Sequence, residues 1–206
     1  MTFLDRVGGV ENFVIGVGSA PRYKFAVFAK GYHAAAKALA MGLLSRGHFP
    51  DYEAYPVVFL YRHAFELYLK HVVYSGARIL AFTSMDEFED RLINSHNLIA
   101  LAEVASKVLS ICFPADAELA NVLRSVASGA GEFMAIDATS YSYRYPIDRM
   151  GRMGTAPNQH VNLRSMHDQL ERILGDLDVI DFGLNLEVDR AQERYEVLHL
   201  MGALQG

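Results

Sequence analysis

The sequence predicts an all-α fold, an up-down bundle of five or six helices with one long irregular loop. Apolar residues recur every three or four positions along most of the 206-residue chain, which is the period of a helix buried on one face. Glycine and proline lie mostly between these periodic segments, where helices end. Apolar residues make up 51% of the chain, enough for a sizeable core. Amphipathic helices with short connections pack most economically as a bundle, here a single domain over residues 1–206.

The predicted helices follow an irregular lead-in over residues 1–20. Apolar positions at helical spacing predict a first helix over 22–45, which ends at Gly47 and Pro50. A second helix is predicted from about 55 to 74, and it is apolar on nearly every side. A helix with that pattern is buried on most sides, so we expect it at the centre of the bundle.

The second half of the chain predicts the remaining helices and the loop. Asn94 or Ser95 caps a third helix, and Pro114 opens a fourth. The stretch 129–160 is rich in glycine, proline, serine and threonine, so it is predicted to be the long irregular loop. A last helical segment follows, which Gly183 is expected to break before a further short helix.

Composition excludes several classes of protein. Nineteen basic against twenty-four acidic residues give a net charge of −5, which excludes a globally basic nucleic-acid-binding surface but not a local basic patch. A single cysteine, Cys112, excludes a disulfide framework. No stretch reaches the roughly 18 apolar residues of a membrane helix, so we expect a cytoplasmic protein with no membrane partner. No Walker loop, dinucleotide fingerprint or nucleophile elbow is present, and we predict no cofactor and no metal.

The second predicted helix carries one charged stripe, formed by Arg62, Glu66 and Lys70, with His63 at its edge. Residues four apart lie on one face of a helix. Because an unpaired buried charge costs several kcal/mol, roughly, the stripe must be paired. One interpretation is an internal ladder in which Glu66 bridges both cations. The other is a cleft in which Arg62 and His63 take an anionic or nucleotide-like ligand, and metal binding is a third alternative.

The same helix carries a family resemblance. The run YRHAFELYLK, residues 61–70, resembles the A-x-E-L-x-L-K helix of HEPN-type bundles. Residues 95–98, SHNL, resemble the G-H-x-L element that begins the next helix in that family, and 144–146, RYP, is similar to a bacterial, uncharacterised or defence-associated branch. The resemblance spans 56–146. It implies a helical bundle, often dimeric, whose members are RNases, nucleotide-binding helpers or partners of nucleotidyltransferase domains.

The charged stripe and the resemblance together predict a ligand site. Residues 141–164 hold four arginines, one aspartate and three tyrosines, an arrangement that suits phosphate pairing with base stacking. Arginine stems that pack on tyrosine rings are the structural alternative. Residues 165–206 hold nine acidic and three basic residues, which predicts a solvated acidic face. The expected ligand-binding residues are Arg62, His63, Glu66, Lys70, His96, Arg144 and Tyr145.

Catalytic HEPN members share an R-x(4–6)-H element late in the bundle, whose arginine and histidine act on the RNA phosphodiester. No pair in this chain has that spacing, and the nearest, Arg152 and His160, has seven residues between. We therefore expect a homodimeric bundle that binds RNA, a nucleotide or a nucleotidyltransferase-type partner protein and lacks the standard RNase motif. The alternatives are a metal-independent ribonuclease that uses Arg152 and His160, and a structural or oligomerisation protein with no ligand.

Overall fold

The computed structural model confirms the predicted all-α bundle. It describes residues 24–81, 95–114, 116–138, 140, 142–147, 150–151 and 159–203. These residues form five helices, α1 (Lys24–Arg46), α2 (Asp51–Ala81), α3 (Leu98–Cys112), α4 (Leu119–Ile136) and α5 (Leu163–Ala203). No helix in this part of the chain combines the length and the apolar character that crossing a membrane requires.

Helix α2 lies at the centre of the bundle, as its nearly continuous apolar circumference predicts. It contacts α1, α3 and α5. Every residue from Ala64 to Gly76 is buried. Packing on three sides explains why this helix shows little amphipathic contrast, since a helix covered by neighbours has no broad face that water must wet.

Side-chain pairs fix the directions of the helices. Tyr32 meets His63 and Phe25 meets Tyr74, so α1 and α2 are antiparallel. Helices α4 and α5 are also antiparallel, because residues later in α4 contact residues earlier in α5. Helices α2 and α3 run in the same direction: the residues before α3 lie at Glu66, and Val108 lies at Gly76. The chain thus alternates in direction at every step except from α2 to α3.

Acidic residues of α5 hold α1 against the bundle. Glu171 accepts hydrogen bonds from Lys37 at 2.6 Å and from the Tyr61 hydroxyl at 2.9 Å, and His33 lies 2.9 Å from it. Lys30 lies 3.0 Å from both Asp178 and Asp181. The acidic segment predicted as a solvated face therefore also supplies the carboxylates that join α1, α2 and α5.

Two glycines lie inside helices at close contacts between elements, and one of them, Gly183, was predicted to break a helix. Helix α2 continues through Gly76, because a Cβ there would overlap the Val108 side chain and only glycine lets α2 and α3 approach this closely. The predicted break at Gly183 is wrong. A Cβ at Gly183 would lie 3.2 Å from the Phe113 ring, so this glycine also serves close packing, and α5 runs unbroken for 41 residues.

Two helix starts differ from the predictions. The side chain of Asn97, rather than Asn94 or Ser95, caps α3 by accepting a hydrogen bond from the amide of Ala100 at 3.1 Å. Helix α4 begins at Leu119, not at Pro114, because the Asp116 carboxylate accepts the amides of residues 118 and 119.

The long loop is shorter than predicted at its beginning. Helix α4 continues to Ile136, so residues 129–136 are helical and not part of the loop. The apolar face that ends with Ala130 and Phe133 carries the helix through the glycine-containing segment. The predicted lead-in over residues 1–20 lies outside the described residues.

Candidate functional site

The charged stripe of α2 is buried. Arg62 is 0% exposed, Glu66 1% and Lys70 4%. Arg62 Nη1 donates to Glu66 Oε2 at 2.9 Å, and Lys70 Nζ lies 2.9 Å from Glu66 Oε1. This is the geometry of the internal ladder, in which one carboxylate bridges two cations. At these exposures none of the three side chains is open to solvent in the way that a residue lining a surface cleft is.

Arg62 joins three parts of the fold. Besides Glu66, its guanidinium donates to the carbonyl oxygen of Asp137 at 3.2 Å and to that of His96 at 3.1 Å. The Asp137 carboxylate lies 3.4 Å from Nε of Arg62. The buried guanidinium therefore ties α2 to the end of α4 and to the residue before the cap of α3. Its planar fork of donors suits such a position better than a lysine would.

His96 connects this buried network with the surface. Its Nδ1 lies 3.0 Å from Oε1 of Glu66, while 44% of its side chain is exposed. The position follows from the start of α3, because the cap at Asn97 turns the chain so that the preceding residue faces α2. Of the predicted site residues near the stripe, His96 is the one that solvent reaches most readily.

Glu66 is held in its charged form. Burial alone would raise the pKa of this carboxyl, but Lys70, His96 and Arg62 together outweigh burial and bring the pKa below its usual 4.5. The carboxylate oxygens receive a contact from each of these three side chains. Glu66 is therefore the shared anion on which the network depends.

A turn after α4 extends the network outward to Arg144. The Asp137 carboxylate accepts hydrogen bonds from the Ser142 amide at 3.3 Å and hydroxyl at 2.9 Å. Ser140 has a positive φ of 65°, which closes the turn, and its carbonyl oxygen accepts the Arg144 Nε at 2.8 Å. Asp137 thus couples the interior Arg62 to the segment that presents Arg144.

Arg144 lies among aromatic rings at the edge of α2. Its guanidinium carbon is 5.5 Å from the centroid of the Phe59 ring and 5.8 Å from that of Tyr145. The His63 ring stacks on Phe59 with centroids 5.6 Å apart, and Tyr32 meets His63 edge-on at 4.5 Å. We call these five residues, Tyr32, Phe59, His63, Arg144 and Tyr145, the Arg144 surface.

The environment of His63 is electropositive. Burial lowers the pKa of His63 below 6.5, and the cations Lys70, Arg144 and Arg62 lower it further against the opposing pull of Glu66. Among the described residues, three cations, Lys70, Arg144 and Arg62, thus act on His63, and Glu66 is the carboxylate that opposes them. A region with this balance favours an anion, because a nearby negative charge would relieve the repulsion that the histidine experiences on protonation.

The structure divides the predicted ligand-binding residues into two groups. Arg62, Glu66 and Lys70 lie in the interior, whereas His63, Arg144 and Tyr145 belong to the Arg144 surface, with His96 beside Glu66 at the boundary. Sequence reasoning missed Asp137, because its partner Arg62 is 75 residues away and no periodicity connects them. It also placed Tyr32 only in an apolar stripe, although the aromatic ring contacts His63.

The structure describes only one residue of the predicted ribonuclease pair. Arg152 lies outside the described residues. His160 is exposed and lines a cleft of about 300 Å³ between α4 and α5, with Glu132, Ser165 and Gln169 among the other lining residues. Gln169 donates to Glu132 across this cleft at 2.7 Å.

Metal binding was a further alternative for the charged stripe. Among the described residues, no group of three or more His, Cys, Asp or Glu side chains is placed to hold a metal ion. His33, His63 and His96 have separate surroundings: Glu171, the Phe59 ring and Glu66. Comparisons with protein families, with curated proteins and with solved structures find no match to this chain.

Proposed function

We propose that this protein is a HEPN-like bundle that binds a nucleotide or single-stranded RNA at the Arg144 surface. The observation that carries the proposal is the position of the Arg144 guanidinium, which lies over the rings of Phe59 and Tyr145 and beside His63. It combines a cation that can pair with phosphate and rings that can stack with bases.

The chemistry of the Arg144 guanidinium and the Tyr145 ring favours this class of ligand. A guanidinium pairs with phosphate oxygens through two parallel hydrogen bonds. The Tyr145 side chain is 53% exposed, so part of its ring is open to a base. Stacking of a base on an aromatic side chain contributes about 1–3 kcal/mol per base and tolerates any sequence. The proposed site therefore selects single-stranded nucleic acid or a nucleotide without base-specific contacts.

The buried ladder has a supporting part in the proposal. It holds α2 in register with the turn that carries Arg144, because Arg62 contacts both Glu66 and Asp137. It also places Arg62 and Lys70 below His63, where they add positive potential. The ligand itself contacts the Arg144 surface and His96. A homodimeric state and a nucleotidyltransferase-type protein partner belong to the proposal through the HEPN resemblance, and a cytoplasmic location belongs to it as the expectation drawn from the sequence.

Binding of a fluorescent single-stranded RNA, followed by anisotropy, tests the proposal. Arg144→Ala and Tyr145→Ala are each expected to weaken binding at least about tenfold, a loss of about 1.4 kcal/mol. Arg194→Ala is the charge-matched control, since Arg194 is an exposed arginine on the distal part of α5. Equal affinities for Arg144→Ala and Arg194→Ala would reject the Arg144 surface as the binding site.

A second candidate is a metal-independent ribonuclease centred on Arg152 and His160. It is favoured by the position of His160 at the mouth of the cleft between α4 and α5. The histidine would act as general acid or base, and the arginine would stabilise the negative charge that develops on the phosphorus centre. Cleavage of a mixed RNA pool in EDTA, lost in His160→Ala, is the expected result. A purified protein that leaves every RNA intact would exclude this activity.

A further inference from the structure

The outer face of α1 is apolar along its whole length. We define this face by Val27, Phe28, Gly31, Ala38, Met41 and Gly42, which are all exposed. The two lysines inside the helix, Lys30 and Lys37, lie on the flank next to α5 and pair with acidic residues of that helix. Between the two ends of α1, its outer face therefore carries no charged residue.

Such a face is unusual for a helix at a protein surface. Exposed helices normally turn polar residues outward, and a helix that is apolar all round is normally covered. Here Val27 is 63% exposed, and Phe28 and Met41 are each 54% exposed. Large apolar side chains in a contiguous exposed patch are typical of a surface that another molecule covers.

The glycines on this face have no packing reason within the described part of the chain. A Cβ at Gly31 or at Gly42 would meet no described atom within 4 Å. Glycine weakens a helix relative to alanine, and close approach of another backbone is a common reason for its presence. The contrast with Gly76, where a Cβ would overlap Val108 inside the bundle, indicates that Gly31 and Gly42 make room for something outside it.

The pattern on the face is nearly palindromic. Counted from a centre between Ala34 and Ala35, Val27 corresponds to Gly42, Phe28 to Met41, and Gly31 to Ala38. A two-fold interface requires that residue i of one copy faces residue j of the other and that j faces i in return. Two antiparallel copies of α1 satisfy this condition, with small residues at the crossing point and bulky residues paired with a glycine or a flexible methionine at each end.

We infer that the outer face of α1 binds the same face of a second copy of this chain, as an antiparallel helix pair. A groove of about 510 Å³ lies beside the C-terminal half of this face, between α1 and α2. Ala38, Gly42 and Tyr52 are among the residues that line it, and the paired side chains of Arg46 and Glu53 lie at its end. In the antiparallel arrangement, Val27 and Phe28 of each copy enter this groove of the other. The protruding end of α1 in one copy therefore complements the recessed end of α1 in the other copy.

The helix pair alone is too small for a stable dimer interface and would be the centre of a larger one. A helix of 23 residues is about 34 Å long and about 10 Å wide, which gives about 340 Å² per copy. A stable interface needs about 800 Å² per copy, so neighbouring side chains must contribute. Tyr52, on the wall of the groove, and Phe182, four residues after Asp178 on the edge of α5 nearest α1, are both highly exposed apolar side chains.

Disulfide trapping of the full-length chain tests the arrangement directly. In a Cys112→Ser background, Val27→Cys and Gly42→Cys proteins are mixed and oxidised, and are also oxidised separately. The antiparallel pair predicts a cross-link in the mixture and none for Val27→Cys alone, whose two copies would be about 22 Å apart along the helix axis. Self-cross-linking of Val27→Cys, or no cross-link in the mixture, would overturn the inference.

Light scattering of the unmodified protein and of one charge variant provides the second test. The wild-type chain is expected to be a dimer, and Ala38→Glu a monomer with an unchanged circular-dichroism spectrum, because Ala38 is exposed in the single chain. Ala100→Glu, at an exposed alanine on α3, is the matched control and should remain dimeric. A monomeric wild type, or a dimeric Ala38→Glu, would contradict the inference whatever the outcome for RNA binding.

Discussion

At the scale of single residues, one carboxylate organises the centre of the molecule. The Glu66 carboxylate contacts Arg62, Lys70 and His96, and the residue is almost fully buried. A buried ion pair contributes little net stability compared with an apolar replacement, yet removal of one partner leaves the other charges uncompensated. The role of Glu66 is therefore best measured by a change that keeps its shape and removes its charge.

Glu66→Gln is expected to lower the free energy of unfolding by about 3–5 kcal/mol, because two buried cations lose their shared anion. Urea denaturation followed by circular dichroism measures this loss. Glu103→Gln, at an exposed position of α3, is the control and should change stability little. Equal midpoints for the two variants would show that the ladder does not depend on charge.

Asp181 gives the fold an acid-sensitive element. Burial alone would raise its pKa, but contacts with His71 at 2.8 Å and Lys30 at 3.0 Å outweigh burial and bring the pKa to about 2, from an ordinary 3.8. The His71 contact is an ion-pair distance without good hydrogen-bond angles. Because the folded-state pKa is the lower one, this stabilisation is present above about pH 4 and is lost as the pH falls toward 2.

The loss is expected to be about 2 kcal/mol, and Asp181→Asn should remove that part of the pH dependence. Unfolding free energies at pH 5 and near pH 2 measure it. Asp176→Asn changes an exposed residue of the same helix and should keep the wild-type slope. An Asp181→Asn protein with the full wild-type slope would refute this assignment.

Protonation of His63 is expected to be coupled to the proposed ligand binding. Its pKa lies below 6.5 in the free protein because of burial and nearby cations, so a bound phosphate should raise it. Binding then takes up a proton, and affinity should increase as the pH falls from 8 toward 6. Calorimetry in two buffers of different ionisation enthalpy measures the uptake. His63→Gln should abolish it, and proton release on binding would contradict the mechanism.

The candidate site was predictable from the sequence only in part. The spacing of Arg62, Glu66 and Lys70 predicts one shared face, and the structure confirms that they pair there. The burial of the stripe could not be read from that spacing, since it depends on Asp137 and His96, which approach from other elements. Tertiary partners of this kind leave no periodic trace in the sequence.

At the scale of helices, two glycines lie where contacts between helices, and not the local preference of glycine for helix ends, determine the structure. Glycine often marks the end of a helix, which is why the last helix was predicted to break at Gly183. The second helix was predicted to end near 74. In the structure both Gly76 and Gly183 lie where a neighbouring side chain, Val108 or Phe113, occupies the space of a Cβ. The existence of the helices followed from apolar periodicity, whereas their ends depended on these contacts.

Gly76→Ala is expected to destabilise the protein by about 1–3 kcal/mol, because the added methyl group would overlap Val108 at the contact of α2 and α3. Gly131→Ala is the matched control inside α4, where a Cβ meets no described atom within 4 Å. There the substitution should stabilise the helix by about 0.5–1 kcal/mol. Thermal melts distinguish the two signs, and a stabilising Gly76→Ala would mean that α2 and α3 are not so closely packed.

At the scale of the whole molecule, charge is divided between two roles. The acidic residues of α5 that face α1 and α2 hold these helices together through Lys30, Lys37 and Tyr61. The positive region lies on another part of the bundle, around Arg144. A net charge of −5 is thus compatible with a local site for anions, because one region can be positive while the chain as a whole is acidic.

Salt should therefore weaken RNA binding even though the protein is acidic overall. Each phosphate neutralised on a single strand contributes about −0.7 to the slope of log affinity against log salt concentration. Arg144→Ala should reduce the magnitude of the slope by about one such contact. Anisotropy titrations at several salt concentrations measure this, and identical slopes for wild type and Arg144→Ala would place the phosphate contact elsewhere.

The central claim is that the buried ladder maintains the fold while the Arg144 surface binds the ligand. The most direct test is to measure the melting temperature and the RNA affinity of Glu66→Gln and Arg144→Ala side by side. Glu66→Gln should melt lower and bind normally at temperatures where it is folded. Arg144→Ala should lose much less stability than Glu66→Gln and bind at least about tenfold more weakly, or about 1.4 kcal/mol. Unchanged affinity in Arg144→Ala, together with lost affinity in folded Glu66→Gln, would contradict the claim.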